Sequence, residues 1–287
     1  MSTREEIAAT AQLACLLEAS APKPGNVSPG IAFHDTRYED FLASAAAIAP
    51  AFLDAGVQPI GETIRRAIED TRRWTSANTN LGIVLLLAPL ARAAHASSPK
   101  SLRDRVRAVI ETTTVSDAAA VYSAIRIARP GGLGAVAEED VAASPAVTLA
   151  AAMELASDRD DLAREYVTGF ARTFTVGAPA LTKARASGLD WPDAIVECYL
   201  ALLAHSPDTL ITRKLGPDAA NGVRARAVEV RAAGGMRTNS GRRAVASFDL
   251  ELRDARNSRN PGTTADITAA AVFVVLLNGG WNGGWER

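Results

Sequence analysis

The chain has 287 residues, 48% of them apolar, a formal net charge of −1 and a sequence pI of about 6.3. That is enough apolar material to bury a sizeable core, and the near-neutral balance excludes a global field that would gather nucleic acid or an anionic membrane. Two cysteines, Cys15 and Cys198, each inside an apolar helical pattern, exclude a disulfide framework and fit buried thiols of a cytoplasmic protein.

Helical periodicity runs through nearly every segment, and almost nothing alternates as a half-buried strand would, which predicts an all-α fold. The chain opens on Ser2-Thr3-Arg4-Glu5-Glu6, acidic and cap-forming, without the basic-then-apolar order of a secretory signal. Helices are expected over 4–19 and then over 37–56, where Tyr38, Phe41, Leu42, Ala45, Ile48 and Phe52 share one face. The pattern continues over 60–74, 81–96, 102–111, 117–128, 146–156, 162–187, 192–205, 218–233, 239–256 and 264–278, about a dozen helices in all. The longest apolar run, 81–91, falls short of the roughly 20 residues that span a bilayer, so it reads as a core helix. Short linkers and uniform composition suggest one compact helical domain over 1–278, followed by a Gly/Trp-rich tail over 279–287 with no assigned function.

Five polar segments stand out between these helices. Pro22-Lys23-Pro24-Gly25-Asn26-Val27-Ser28-Pro29-Gly30, followed by His34-Asp35, reads either as a rigid presentation of Lys23 and Asn26 to a phosphate, with His34 or Asp35 moving a proton, or as a plain connection capped by Asp35 or Thr36. Only four of the 31 basic residues are lysines, which adds a little weight to a lysine in a polar motif. Asn78-Thr79-Asn80-Leu81-Gly82 opens the most apolar helix, where free N–H groups can hold an anion or orient a ribose. The alternative is simple N-capping. Arg129-Pro130-Gly131-Gly132-Leu133-Gly134, backed by Glu138 and Glu139, reads first as a helix stop and second as a loop carrying Arg129 to a phosphate.

Further on, Asp208-Thr209 and Arg213-Lys214 place an acid, a hydroxyl and two cations within two turns. They suit phosphates and magnesium, or equally a solvated helix end with a dipole-matched acid. The last segment pairs Asp249 and Glu251 with Asn257-Ser258-Arg259-Asn260-Pro261-Gly262-Thr263-Thr264-Ala265-Asp266 at the head of a nearly all-apolar helix. Capping by Thr263 or Thr264 explains part of it. His34, His95 and His205 lack metal-ligand spacing, and neither a P-loop nor a nucleophile elbow is present.

Taken in order, Pro22-Lys23-Pro24-Gly25-Asn26-Val27, Asn78-Thr79-Asn80-Leu81-Gly82, Asp208-Thr209 and Asn260-Pro261-Gly262-Thr263-Thr264-Ala265-Asp266 resemble the triphosphoribosyl-dephospho-CoA synthase family. The resemblance implies an all-α transferase in which ATP gives up adenine while its triphosphoribosyl group moves to the 2′-hydroxyl of 3′-dephospho-CoA. It assigns catalysis to Asp35, Asp249 and Asp266, and a magnesium ion to Asp208 and Asp249. Nucleotide contacts fall to Lys23, Asn26, His34, Asn78, Thr79, Asn80, Arg129, Thr209, Arg213, Lys214, Asn257, Asn260, Gly262 and Thr263. The implied partners are ATP and a small cofactor precursor, with no nucleic acid and no membrane, and a homodimer is left open. One departure stands out: members acting on dephospho-CoA read Asn-Thr-His-Lys-Gly where this chain has Asn78-Thr79-Asn80-Leu81-Gly82. That aligns it with a branch of archaea and one-carbon-using bacteria, whose acceptor would be a pterin or furan intermediate. Phosphoryl or nucleotidyl transfer in such a pathway, and an inactive nucleotide-binding helical protein, are the competing readings.

Overall fold

A computed structural model describes residues 2–130 and 140–282. Among them the chain is all-α: the only β-type pairing is an isolated bridge between Ser28 and Ile31. The helices are α1 (Arg4–Ser20), α2 (Tyr38–Ala47), α3 (Ala49–Leu53), α4 (Ile60–Arg72), α5 (Leu81–His95), α6 (Leu102–Glu111), α7 (Val115–Ala128), α8 (Leu149–Ala156), α9 (Asp161–Thr168), α10 (Ala178–Ala186), α11 (Trp191–His205), α12 (Thr209–Leu215), α13 (Pro217–Ala232), α14 (Asn239–Leu252) and α15 (Gly262–Leu277). No single helix among the described residues is long and apolar enough to cross a membrane. Their contacts divide the chain into two compact units, Met1–Cys15 with Glu39–Ala171, and Leu16–Tyr38 with Arg172–Arg287.

These fifteen helices exceed the dozen expected because periodicity does not register backbone breaks. The stretch 37–56 divides at Ile48, since Pro50 sits in the first turn of α3 and cannot continue the ladder of α2. The stretch 162–187 divides where Gly169 caps α9 in the left-handed region and Phe170 follows at φ 57°, after which a π-turn over Thr173–Gly177 leads into α10. The short α12 was expected only as a polar segment, and α14 ends at Leu252, four residues early.

In the first unit α5 is buried on nearly every side, from Leu81 and Ile83 through Leu90 and Ala93. Pro89 lies inside it and has no N–H for the carbonyl of Leu85. The Tyr166 hydroxyl of α9 donates to that carbonyl instead, at 2.6 Å, so the proline is accommodated without an orphan acceptor. Burial also pushes the Tyr166 hydroxyl well above its ordinary pKa, keeping it a donor. Helices α4 and α7 approach closely because position 61 is glycine: its N–H donates to Asp117 Oδ1 at 2.9 Å, while Asp117 Oδ2 closes a capping box with Thr114.

The core of the second unit is assembled from α11, α12, α13 and α14, with Tyr199, Leu203, Ile211, Val230 and Phe248 at its centre. Helix α15 is buried along almost its whole length and packs on α10 and α11, where Gly177 leaves room for Ala271. Cys198 is buried here, its thiol pushed up in pKa by burial, and neither cysteine forms a disulfide. Of the two tail tryptophans, Trp281 stacks on Trp191 with ring centroids 5.4 Å apart, and Trp285 lies outside the described residues.

Two glycine substitutions test this packing. A Cβ at Gly61 would lie 2.6 Å from the Asp117 backbone, so Gly61→Ala is expected to destabilise by about 1–3 kcal/mol. Gly222, inside α13, has nothing within 4 Å of a built Cβ, so Gly222→Ala is expected to stabilise by about 0.4–1 kcal/mol. Urea unfolding of the two variants checks both signs.

Candidate active site

In the second unit the Pro22–Pro29 segment is a braced turn. The Lys23 ammonium is buried against the Glu18 carboxylate, 2.9 Å away, with both side chains under 5% exposed. Its remaining donors go to the carbonyls of Glu18 and Ala21. All three N–H groups are therefore consumed inside the protein, and none remains for the phosphate expected of Lys23. Asn26 is likewise buried: its Nδ2 donates to Pro24 O and to the Tyr199 hydroxyl, which itself donates to Pro24 O at 2.8 Å. Gly25 adopts φ 75° against Leu252, and its N–H donates to Asp249 Oδ1 at 2.8 Å. Arg253 grips the same carboxylate through Nε at 2.9 Å and Nη2 at 2.6 Å, and also donates to Asn26 O. Asp249 thus anchors this turn, rather than standing free for chemistry.

Asp208 has a comparable task at greater depth. It is fully buried, its Oδ1 accepts the N–H groups of Leu210 and Ile211, and its Oδ2 accepts the N–H and the hydroxyl of Thr264 at 2.7 and 2.8 Å. One carboxylate therefore caps α12 and clamps the first turn of α15, and Thr209 reinforces the joint by donating to Thr263 Oγ1 at 3.3 Å. Gly262 sits where Leu210 leaves no space for a side chain. Asp266 falls on the second turn of α15, not the first, and is partly exposed.

Around this joint the structure gathers several of the remaining candidates. His34 and Asp35 are both exposed, at 58% and 64%, with His34 Nε2 3.6 Å from Asp35 Oδ2. Asn257, held at φ 50°, places its Nδ2 3.2 Å from His34 Nδ1. Asp254 shapes that loop by accepting the N–H groups of Arg256 and Ser258 and the Ser258 hydroxyl, which holds its pKa down at about 2. The loop is thus braced above the ordinary carboxylate pKa and loses that support only as pH falls toward 2. Lys214 feels Asp208, Asp35 and Asp254, with Arg213 beside it, and desolvation lowers its pKa against their pull. Asn260 keeps its Oδ1 buried without a protein donor.

Asn78, Thr79, Asn80 and Arg129 belong to the first unit. Thr79 is hydrogen-bonded to Ser44, Asn80 donates to Thr71 Oγ1 at 2.9 Å, and both are buried. Of the three motif residues Asn78 alone is exposed; its Oδ1 accepts the Leu81 N–H at 3.3 Å. Arg129 is exposed and ends α7 in the left-handed region at φ 49°. The glycine run Gly131–Gly134 and the acids Glu138 and Glu139 lie outside the described residues.

The profile of the ATP:dephospho-CoA triphosphoribosyl transferase family, CitG, matches residues 4–284. The chain belongs to this family. It is similar to a crystal structure from Archaeoglobus fulgidus of a protein assigned as a triphosphoribosyl-dephospho-CoA synthase, with a TM-score of 0.64 and 31% identity over 85% of this chain and 100% of that one. An assigned 2-(5''-triphosphoribosyl)-3'-dephosphocoenzyme-A synthase of Pseudomonas putida is 34% identical over 106 residues, and the synthase of that name from Klebsiella pneumoniae is 30% identical over 115. Those alignments span 37% and 40% of both partners, so the matched region covers about two fifths of these curated relatives.

Within this CitG-family chain the residues proposed for magnesium do not fit a metal held by protein. Among the described residues no group of three or more His, Cys, Asp or Glu side chains is arranged to hold one. Four donors already occupy Asp208, and Arg253 with the Gly25 N–H occupies Asp249. Sequence reasoning missed the residues that brace the motifs: Glu18, Tyr199, Arg253 and Asp254 in one unit, and Ser44 and Thr71 in the other. Only Asp254, four residues before Ser258, carries a readable local signal, that of an acid closing a turn. The ion pair gives a direct test. Lys23→Met should cost about 3–5 kcal/mol by stranding the Glu18 carboxylate, and Glu18→Leu added to it should restore most of the loss in urea unfolding. Equal losses in the single and double variants would contradict a paired ammonium.

Proposed function

We propose that this protein transfers the triphosphoribosyl group of ATP, releasing adenine, to a hydroxyl of 3′-dephospho-CoA or a related cofactor precursor. The match of the CitG profile across residues 4–284 carries this reading. The second-unit geometry supports it by leaving His34, Asp35, Lys214 and Asn257 presented around a rigid joint while Lys23, Asp208 and Asp249 hold that joint together.

Breaking the N-glycosidic bond builds positive charge at the ribose C1′, and a carboxylate beside it stabilises that charge. Of the expected set, Asp35 is an exposed carboxylate beside His34, and Asp266 lies partly exposed on the second turn of α15. The acceptor hydroxyl has a proton to lose and the departing adenine one to gain, tasks suited to the Asp35 carboxylate and the His34 imidazole respectively. Asn257 orients that imidazole through Nδ1. Arg213 and Lys214 supply cationic charge for the triphosphate, and magnesium arrives with the nucleotide, carried by phosphate oxygens and water.

The acceptor is the less constrained half of the reaction. Asn80 is spent on Thr71 and Leu81 is buried in the first unit, so neither offers the polar and basic pair that the resemblance places at these positions. That favours an acceptor other than dephospho-CoA in this branch, such as another hydroxylated cofactor precursor.

Chromatography of the products formed from ATP and candidate acceptors tests the chemistry. Free adenine in step with a triphosphoribosylated product is the expected result. ADP, AMP or pyrophosphate without adenine would assign phosphoryl or nucleotidyl transfer, and nucleotide-induced stabilisation without turnover would assign a binding protein. His34→Ala and Asp35→Asn are each expected to lower kcat by about a hundredfold or more.

A further inference from the structure

Asp254 stands just beyond the end of α14, between the two polar stretches Asp249–Glu251 and Asn257–Asp266. Its carboxylate collects donors from both sides of Asn257: Oδ1 accepts the Arg256 N–H at 2.8 Å and the Ser258 N–H at 3.1 Å, and Oδ2 accepts the Ser258 hydroxyl at 2.6 Å. The Asn257 N–H closes on the Asp254 carbonyl at 3.1 Å. Residue 257 is thereby fixed through its own amide and through both neighbours. It is held at φ 50°, a left-handed conformation that asparagine tolerates better than most side chains. The Ser258 hydroxyl above all holds the Asp254 pKa down at about 2, so the clamp is an ionised, acceptor-only group near neutral pH.

The clamped residue reaches across to another part of the same unit. Asn257 Nδ2 lies 3.2 Å from Nδ1 of His34, 223 residues away in sequence, and both belong to the second unit. His34 stands on a turn of its own: the Phe33 N–H donates to Thr36 O at 2.8 Å, and the Thr36 hydroxyl donates to Asp35 Oδ1 at 3.1 Å. Asp35 Oδ2 lies 3.6 Å from His34 Nε2. An amide nitrogen only donates, so Nδ1 accepts here, and the neutral ring carries its proton on Nε2, the side of Asp35. The carboxamide also serves the imidazolium, since a half-turn about its last bond brings Oδ1 round to accept Nδ1–H. In both states Asn257 closes Nδ1, and Nε2 is the nitrogen that exchanges a proton with a ligand.

We propose that Asp254 is a positioning residue for His34: by clamping the loop on both sides of Asn257 it keeps the Asn257 carboxamide on Nδ1 and leaves Nε2 as the working nitrogen of the ring. This deepens the transferase reading and rests on it for the ring's task. There the imidazolium gives its Nε2 proton to the departing adenine. The electron pair of that N–H bond stays on Nε2, and the neutral ring keeps its Nδ1–H on Asn257 Oδ1.

The test reads the scalar coupling across the hydrogen bond from Asn257 Nδ2 to His34 Nδ1, by NMR on the isotope-labelled full chain with the ring neutral, alongside the kinetics of adenine release. The wild type should show that coupling and the Nε2–H tautomer. Asp254→Ala should lose the coupling, whereas Asp254→Asn, whose Oδ1 still accepts both N–H groups, should keep it. Asn257→Ala leaves the clamp intact and removes only the carboxamide. It should match Asp254→Ala in lowering kcat about tenfold or more, with the KM for ATP within about twofold. Neither change should lower kcat further once His34→Ala is in place. An Nδ1–H tautomer in the wild type, or a coupling that persists in Asp254→Ala, would overturn the proposal. If Asp254→Ala does not fold, a wild-type kcat in Asn257→Ala overturns it instead. Lost coupling with an unchanged kcat would sink the positioning role and spare the transferase. No adenine release with any acceptor would sink the transferase and leave the coupling to decide the role of Asp254.

Discussion

The second unit depends on one buried carboxylate. Asp208 is fully buried, and its two oxygens accept four donors from the starts of α12 and α15. Burying a charge is tolerated only when its lone pairs are satisfied, and here N–H groups at two helix starts, each the positive end of a peptide dipole array, satisfy them. The same four bonds fix where α15 begins. They thereby set the course of the Asn257–Pro261 loop that precedes it.

A division of labour follows from that joint. Residues that a polar motif makes conspicuous in the sequence are largely those that hold the motif in place: Lys23 on Glu18, Asp249 on Arg253 and Gly25, Thr79 on Ser44, Asn80 on Thr71. The groups left facing outward are fewer, His34 and Asp35 among them. Rigid support matters to transfer chemistry because a misplacement of about an ångström at the reacting atoms is enough to lose orders of magnitude in rate.

Helix positions were legible because burial imposes the 3.6-residue period, and Tyr38, Phe41 and Ala45 show it plainly. The breaks were not, since the apolar period runs straight through Ile48 and through Gly169-Phe170, and only local backbone geometry reveals them. Pro89 illustrates the opposite case: a residue that ought to end a helix sits inside α5 because Tyr166, distant in sequence, takes the carbonyl it abandons. For the site, order and spacing located the motifs, but whether each side chain points toward protein or solvent depends on partners far along the chain, 173 residues away for Asn26 and 56 for Thr264. Tyr199 beneath Asn26 and Asp208 beneath Thr264 are such partners.

The central claim, that Asp208 is a shared helix cap and not a metal ligand, is tested most directly by hydrogen exchange at the amides of Leu210, Ile211 and Thr264. In the wild type these should be protected and indifferent to magnesium. In Asp208→Ala all three should lose protection together, because one carboxylate serves them all. Protection that changes with magnesium, or loss confined to Leu210 and Ile211 while Thr264 stays protected, would contradict the account.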